Sequence, residues 1–306
     1  MDFFLSDLKS FARKSLNDEF IIAKNFRNTF GRRMNFFNPE TFNEKLQLQK
    51  LYNRNPRMTF LSDKYLARQH IKNLGLANIL NVLIGVYDRA EDIDFSSLPQ
   101  AFVIKCNHSW ATNIICSDKS ELIEEEVIAR LNDWLAINHY YILREWCYKD
   151  IKPKIIIERH LGKDLKDFKF FCFEGLPHYI QVDCDRFGAH TLDIYDMNWN
   201  RLECRKGNKK QSATPMSPPT YFQEMVNAAK TISSEFNFCR VDFLATPDAF
   251  YFCEVTFYPG GGFSSFQPEQ FDYLFGEKLN VSDLKIPLKS RLKIGAISLL
   301  DRMGFV

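Results

Sequence analysis

The chain has 306 residues, 45% of them hydrophobic, and a formal net charge of +2. That much apolar material builds one large core or two smaller ones, and so balanced a charge names no partner; nucleic acid is not expected as one. No run approaches the roughly 20 apolar residues that span a bilayer. Met1 to Ser15, with Asp2 and Asp7 and no long apolar stretch, does not read as a secretory leader.

Charge is uneven along the chain. Basic residues exceed acidic ones by 5 over residues 1–60 and by 3 over 276–306, and fall short by 6 in between. Basic ends around an acidic centre fit a body that binds a metal–nucleotide, with ends that meet an anionic surface; ordinary solvated surface is the alternative. The eight cysteines form no Cys-x-x-Cys pair and the six histidines no cluster, so a zinc site is not expected. Cys172, Cys239 and Cys253 sit in apolar runs and read as small buried hydrophobes in a reducing, cytoplasmic setting.

In chain order, residues 1–60 read as mainly helical. Asn38-Pro39-Glu40-Thr41 starts a helix carrying Phe42, Leu46, Leu48 and Leu51. Ser62-Asp63 caps a second helix, Lys64 to Leu74, that ends at Gly75. Ala101 to Lys105 reads as a short buried strand and Ile114 to Cys116 as another. Asp118 to Asn138 reads as one amphipathic helix, with Asp118 and Glu121 at capping-box spacing. Strands then dominate: Lys154 to Glu158, a hairpin of Phe168–Phe173 and Pro177–Val182 around Glu174-Gly175, and Thr191 to Tyr195. Lys206 to Ser217 reads as a mobile loop, and Pro218-Pro219 opens a helix to about Phe236. A second hairpin follows, Phe238–Leu244 and Phe250–Val255 about Thr246-Pro247-Asp248. This order argues an α+β protein, not a doubly wound parallel sheet. The tail 276–306 puts Leu288, Leu292, Leu299 and Met303 on one helical face among Lys289, Arg291, Lys293 and Arg302. Such a helix docks on the body or on an anionic membrane surface.

Several residues carry chemistry. Lys105 ends a strand beside the polar loop Cys106 to Asn113, a setting that holds phosphates through the ammonium and loop donors such as His108 and Ser109, or else a plain hairpin with a surface lysine. Glu158 ends an apolar strand whose edge suits an adenine ring. Asp242 and Glu254 lie on the two arms of the second hairpin, each flanked by large apolar residues. Two unpaired buried carboxylates would cost several kcal/mol. A divalent cation removes that penalty, and magnesium takes one or two carboxylates plus phosphate oxygens; an ion pair between Asp242 and Arg240 is the structural alternative. Thr256 shares a face with Glu254 and adds a hydroxyl. Gly260 to Gly262 let backbone approach a ligand closely, or form a flexible loop. Lys169 and Arg186 offer separated cations for phosphate or carboxylate.

Taken together, the segments TFNEKLQLQKLYNRNP, LSDKYLARQHI, LPQAFVIKCNHSWATNIICSDK, REWCYKDIKPKIIIE, DFKFFCFEGLPHYIQVDCDR and FCRVDFLATPDAFYFCEVTFYPGGG resemble the TupA-like ATP-grasp family, in order over about residues 35–275. The resemblance implies an ATP-grasp fold in which two α+β subdomains, 61–160 and 161–275, sandwich ATP after a reduced helical N-terminal region, 1–60, and before a basic amphipathic tail, 276–306. It implies Lys64 and Lys105 as phosphate-binding lysines, with His108 and Ser109 in the loop beside them. Glu158 would meet adenine or ribose, and Lys169 and Arg186 would face phosphate or the acid substrate. Asp242 and Glu254 would hold Mg2+, with Thr256 where many ATP-grasp enzymes carry Asn. Arg240 and the Tyr258–Gly262 loop would border the acceptor. The loop His108 to Thr112 departs from many ATP-grasp proteins in having no glycine.

The activity implied is ATP- and Mg2+-dependent joining of a carboxylate to an amine through an acyl phosphate, on a uronic acid of a surface polysaccharide or its precursor. A kinase on the same fold and a carbohydrate-binding protein are alternatives; 29 Phe against 12 Tyr and 4 Trp argue for core rather than sugar platforms. Asp183-Cys184-Asp185, an Asp-x-Asp sequence, keeps a nucleotide-sugar glycosyltransferase as the rival enzyme.

Overall fold

A computed structural model describes residues 16–184 and 190–302. Met1 to Ser15, Asp185, Arg186 and Met303, which entered the expectations above, lie outside the described residues.

Helix α1 (Asp18–Phe30) is followed by α2 (Phe42–Tyr52), whose start is set by a complete capping box between Thr41 and Glu44. Helix α3 (Pro56–Ser62) runs directly into α4 (Lys64–Asn73), where the Asp63 carboxylate accepts from the Tyr65 and Leu66 amides. Then come β1 (Leu83–Tyr87), β2 (Phe102–Cys106) and β3 (Asn113–Cys116), α5 (Glu124–Leu135), the short α6 (Tyr140–Leu143) and β4 (Ile155–Arg159). These four strands form one antiparallel sheet in the order β1-β4-β2-β3. Leu131, Phe102, Ile104 and Ile157 pack between that sheet and α5.

Strands β5 (Lys166–Phe173), β6 (Leu176–Cys184) and β7 (Thr191–Asp196), with β9 (Phe238–Ala245) and β10 (Phe250–Thr256), form a second antiparallel sheet in the order β10-β9-β5-β6-β7. The β5–β6 turn holds Glu174 and Gly175 at positive φ, as a two-residue hairpin of this hand needs. One face of this sheet takes Phe168, Phe170, Val241 and Phe243 onto α7 (Phe222–Ser233), with Met58, Leu61, Ala67 and Ile71 of α3 and α4 in the same core. The other face is divided. Its apolar half, with Phe171, Phe173 and Phe238, is covered by α2 and by α8 (Gln270–Lys278), and Phe42 meets five phenylalanine rings there. Truncating Phe42 to Ala is expected to cost about 3–5 kcal/mol. Its polar half carries the candidate site.

A two-stranded ribbon, β8 (Arg205–Lys206) with β11 (Phe266–Gln267), borders that face. Helix α9 (Leu288–Arg302) closes the described chain.

Four expectations change. The segment 118–138 is not one helix: Asp118 caps a single 3-10 turn, Lys119–Glu121, and α5 begins only at Glu124. The helix after Pro218-Pro219 starts at Phe222 and stops at Ser233, short of Phe236. Residues 206–217 are anchored: the Asp193 carboxylate accepts from the Ser212 amide at 3.2 Å, and the Tyr195 hydroxyl from the Met216 amide at 2.9 Å. The tail docks on the body, but through Ile294 and Ile297 against α1 and α2; Leu288, Leu292 and Leu299 face outward at 75%, 70% and 60% exposure. Among the described residues no helix is long and apolar enough to cross a membrane.

Candidate active site

The antiparallel register lines the polar side chains up in rows. Glu254 on β10 stands opposite Asp242 on β9, Asp242 opposite Lys169 on β5, and Lys169 opposite Gln181 on β6. Opposite residues share a face, so four strands deliver four polar groups to one side of the sheet. One step along, Thr256 faces Arg240; in the other direction, Asp167 faces Asp183. The row survives because β10 is bulged between Phe252 and Glu254, which brings Glu254 level with Asp242.

The ion pair named as the structural alternative is present. Arg240 grips Asp242 with two bonds, Nε to Oδ1 at 2.7 Å and a terminal nitrogen to Oδ2 at 2.6 Å. The same guanidinium reaches the Thr256 hydroxyl at 3.3 Å and stands 3.9 Å from Glu254. Arg240 is therefore a clamp on the carboxylate pair as much as a border of the acceptor space. Burial pushes the Asp242 carboxyl up to about 6 even against that clamp. Glu254 goes the other way: burial would raise it, but Lys64 and Arg240 bring it down to about 2. The Thr256 hydroxyl donates to Glu254 at 3.2 Å.

Lys64, the first residue of α4, joins the two sheets. Its ammonium donates to the Ser109 carbonyl at 2.5 Å and stands 3.1 Å from Glu254. Lys105 on β2 pairs with Glu158 on β4 at 2.8 Å, and Arg68, one turn along α4 from Lys64, takes the other Glu158 oxygen at 2.6 Å. Glu158 outweighs the burial of Lys105 and keeps its ammonium above the usual lysine range. Arg68 was not among the expected site residues; its signal was the four-residue spacing from Lys64 on a capped helix.

The loop 106–113 lies closed on the site. The Ser109 hydroxyl bonds the Thr112 hydroxyl, and the Trp110 indole N–H donates to Glu145 at 3.1 Å. His108 does not face this space: its Nε2 lies 3.3 Å from the carbonyl of Trp134 and 3.2 Å from that of Ile137, at the end of α5. Glu145 and Lys50, also unforeseen, are both buried, and burial pushes both toward their neutral forms. Lys50 donates to the Gly261 carbonyl at 2.6 Å. The three glycines bring backbone close to protein: a Cβ on Gly262 would fall 2.3 Å from the Gln47 amide nitrogen, and one on Gly261 2.6 Å from a Leu143 methyl.

Lys169 bonds Asp183 and lies 3.2 Å from Asp167. Asp183 also accepts from Gln181 at 2.9 Å and contacts His190 Nε2 at 2.7 Å. Burial would raise its carboxyl, but Lys169 holds it well below the usual range. The half of the Asp-x-Asp sequence that is described is thus taken up by protein groups.

Two antiparallel sheets, the first lending a strand lysine and the second a cross-strand pair of carboxylates, with a helix lysine between them, make an ATP-grasp arrangement. The model of the TupA-like ATP-grasp family matches residues 44–280, and the chain belongs to that family. No curated protein matches it in sequence. Among solved structures it is similar to the D-alanine–D-alanine ligase of Bacillus anthracis, at 18% identity and a TM-score of 0.40 over 64% of this chain and 57% of that one. The Helicobacter pylori D-alanine–D-alanine ligase gives 16%, 0.40, 72% and 62%. The N5-carboxyaminoimidazole synthase of Aspergillus clavatus gives 10%, 0.40, 76% and 53%. The chain thus spans little more than half the length of these proteins, and at such identities the likeness does not extend to substrate.

Proposed function

We propose that this protein is an ATP- and Mg2+-dependent carboxylate–amine ligase. The observation that carries the reading is the Asp242–Glu254 pair on adjacent strands, with Lys64 bridging Glu254 to the loop of the other sheet. The residues fit a magnesium ion. Two carboxylates stand side by side, and burial drives one of them toward neutrality although an arginine holds it, the setting a divalent cation relieves. Among the described residues no third His, Cys, Asp or Glu joins them, so phosphate oxygens and water would complete the shell. Bound there, magnesium would neutralise charge on the triphosphate.

The chain's own residues do the rest. Lys64 and Lys105 place phosphate oxygens, and Arg240 holds Asp242 in register. The closed loop 106–113 shields an acyl phosphate from water. No side-chain nucleophile is required, because the amine attacks the activated acyl group directly. Within this reading Glu158 borders adenine or ribose, and Lys169, Arg186 and Arg240 face the acid. The acid is a uronic acid of a surface polysaccharide or its precursor and the amine an amino acid, as the family resemblance suggests. The cysteines, none in a disulfide, accord with a cytoplasmic setting. The outward leucines of α9, set among Lys289, Arg291 and Lys293, suit peripheral contact with an anionic membrane face.

A thermal-shift titration with ATP, ADP and UDP-sugars, each with and without Mg2+, tests the proposal. A magnesium-dependent rise in Tm with ATP or ADP alone supports it and is followed by a screen of uronate–amino acid pairs for ADP and phosphate release. A rise with UDP-sugars alone would overturn it in favour of a glycosyltransferase.

A further inference from the structure

Five cations around the carboxylate rows each have a carboxylate: Lys64 has Glu254, Lys105 and Arg68 share Glu158, Lys169 has Asp183, and Arg240 has Asp242; the buried Lys50 instead donates to two backbone carbonyls, those of Leu143 and Gly261. Lys206 has neither. It stands on β8, is 7% exposed, and lies 4.8 Å from the centre of the Phe171 ring and 5.8 Å from that of Phe266. Among the described residues its ammonium has one hydrogen-bond partner, the Gln181 carbonyl oxygen at 3.3 Å, and no carboxylate within ion-pair distance. A buried ammonium without a counter-charge is costly, and burial brings this one down to about 7. Lysine is a poor choice for a purely structural role there, since the two rings would accept a methionine.

Position separates Lys206 from the nucleotide end of the site. Gln181 is on β6, two strands from Asp242 and three from Glu254. At strand spacing that is about 10 and 14 Å. The proposed triphosphate cations lie at the Glu254 end: Lys64 stands beside Glu254, and Lys105 comes from the first sheet and feels the Glu254 charge. An anion held by Lys206 therefore approaches the carboxylate pair from the opposite side to the nucleotide.

We propose that Lys206 is a binding residue for the acid substrate, and that the substrate's own carboxylate is its counter-ion. The inference rests on the ligase reading for the identity of the two ends, but its test does not. Gln181 positions the ammonium, and the Phe171 and Phe266 rings keep water from it.

The test compares the wild type with Lys206→Met and Lys206→Arg. Binding of acetate, D-glucuronate, D-galacturonate and L-glutamate is measured by calorimetry, with and without ADP and Mg2+, beside the uncharged methyl esters of the two uronates. The wild type is expected to bind at least one carboxylate in preference to its ester. Lys206→Met should lose at least about thirtyfold in that affinity, the scale of deleting one partner of a buried charge pair, while binding ADP with Mg2+ as the wild type does. Lys206→Arg should retain most of the carboxylate affinity. Unchanged carboxylate affinity in Lys206→Met would overturn the assignment, as would the absence of any preference for carboxylate over ester. An equal loss of ADP binding would move Lys206 to the nucleotide, and a lower Tm for Lys206→Met would make it structural; either rejects the proposal. Failure of the wild type to bind ADP with Mg2+ would sink the ligase reading alone, because the nucleotide-free arm still reads Lys206.

Discussion

Lys64 and Glu254 meet beside the loop of the other sheet, with the ammonium at the start of α4 standing 3.1 Å from a carboxylate oxygen near the end of β10 and also bonded to the Ser109 carbonyl. The contact ties a helix cap to a strand register: Asp63 fixes where α4 begins, and the bulge before Glu254 fixes which way that carboxylate points. Glu254→Gln keeps the shape and removes the charge. Turnover is expected to fall by at least about 100-fold, the loss seen when one preorganised charge-stabilising group is removed. The magnesium-dependent part of the nucleotide thermal shift should vanish while the far-UV circular dichroism is unchanged. Full activity in the variant would take Glu254 out of the metal site.

Glu158 is shared by two buried cations, Lys105 at 2.8 Å and Arg68 at 2.6 Å. Its removal strands both, whereas loss of Arg68 leaves Glu158 still paired. Glu158→Gln is therefore expected to destabilise by about 3–5 kcal/mol and Arg68→Gln by clearly less. Urea unfolding of the two variants measures this, and an Arg68→Gln cost equal to or above that of Glu158→Gln would contradict the shared-partner account.

The two hairpins, and with them the facing of Asp242 and Glu254, were legible because strand alternation and local turn chemistry agree there: Glu174-Gly175 in one, Thr246-Pro247-Asp248 in the other. Lys64 was legible because its helix cap is local. Strand β1 was missed because it holds Gly85 and is an edge strand, half-buried throughout, so no alternation shows. The inward face of α9 was misjudged because its leucines form a stripe, yet Ile294 and Ile297 are what fit against α1 and α2. Lys206, Glu145 and Lys50 were illegible for one shared reason. Nothing near them in sequence reports their burial, which is imposed by strands and helices distant in the chain.

Gly262 and Gly207 both hold positive φ, at 69° and 58°, but only Gly262 is crowded. Its carbonyl accepts from Gln47 at 2.6 Å, and an added Cβ would meet Gln47 and Leu46 of α2. Gly207 has nothing within 4 Å of where a Cβ would stand. Gly207→Ala should cost the conformational strain alone, about 1–2 kcal/mol. Gly262→Ala should cost about 1–3 kcal/mol more, because α2 must shift. Chemical denaturation distinguishes the two, and equal losses would show that the glycine loop is free to move away from α2.

Lys206 predicts a pH dependence of stability whose sign follows from its burial. The ordinary lysine value is about 10.4, and burial lowers this one to about 7. Between those values the unfolded chain holds a proton that the folded chain lacks, so stability rises with pH across the window. Below about pH 7 the folded protein carries the full cost of a buried ammonium. Arg240, Asp183, Lys169 and Asp242, the charged groups that act on Lys206, are common to wild type and variant. Lys206→Met removes only the lysine's own contribution. The variant is therefore expected to be more stable than the wild type at pH 7, and the gap should narrow as the pH is raised toward about 9.5. Tm measured for both proteins over that range checks it; a gap that stays constant, or that widens with pH, would show that the ammonium is not desolvated in the folded chain.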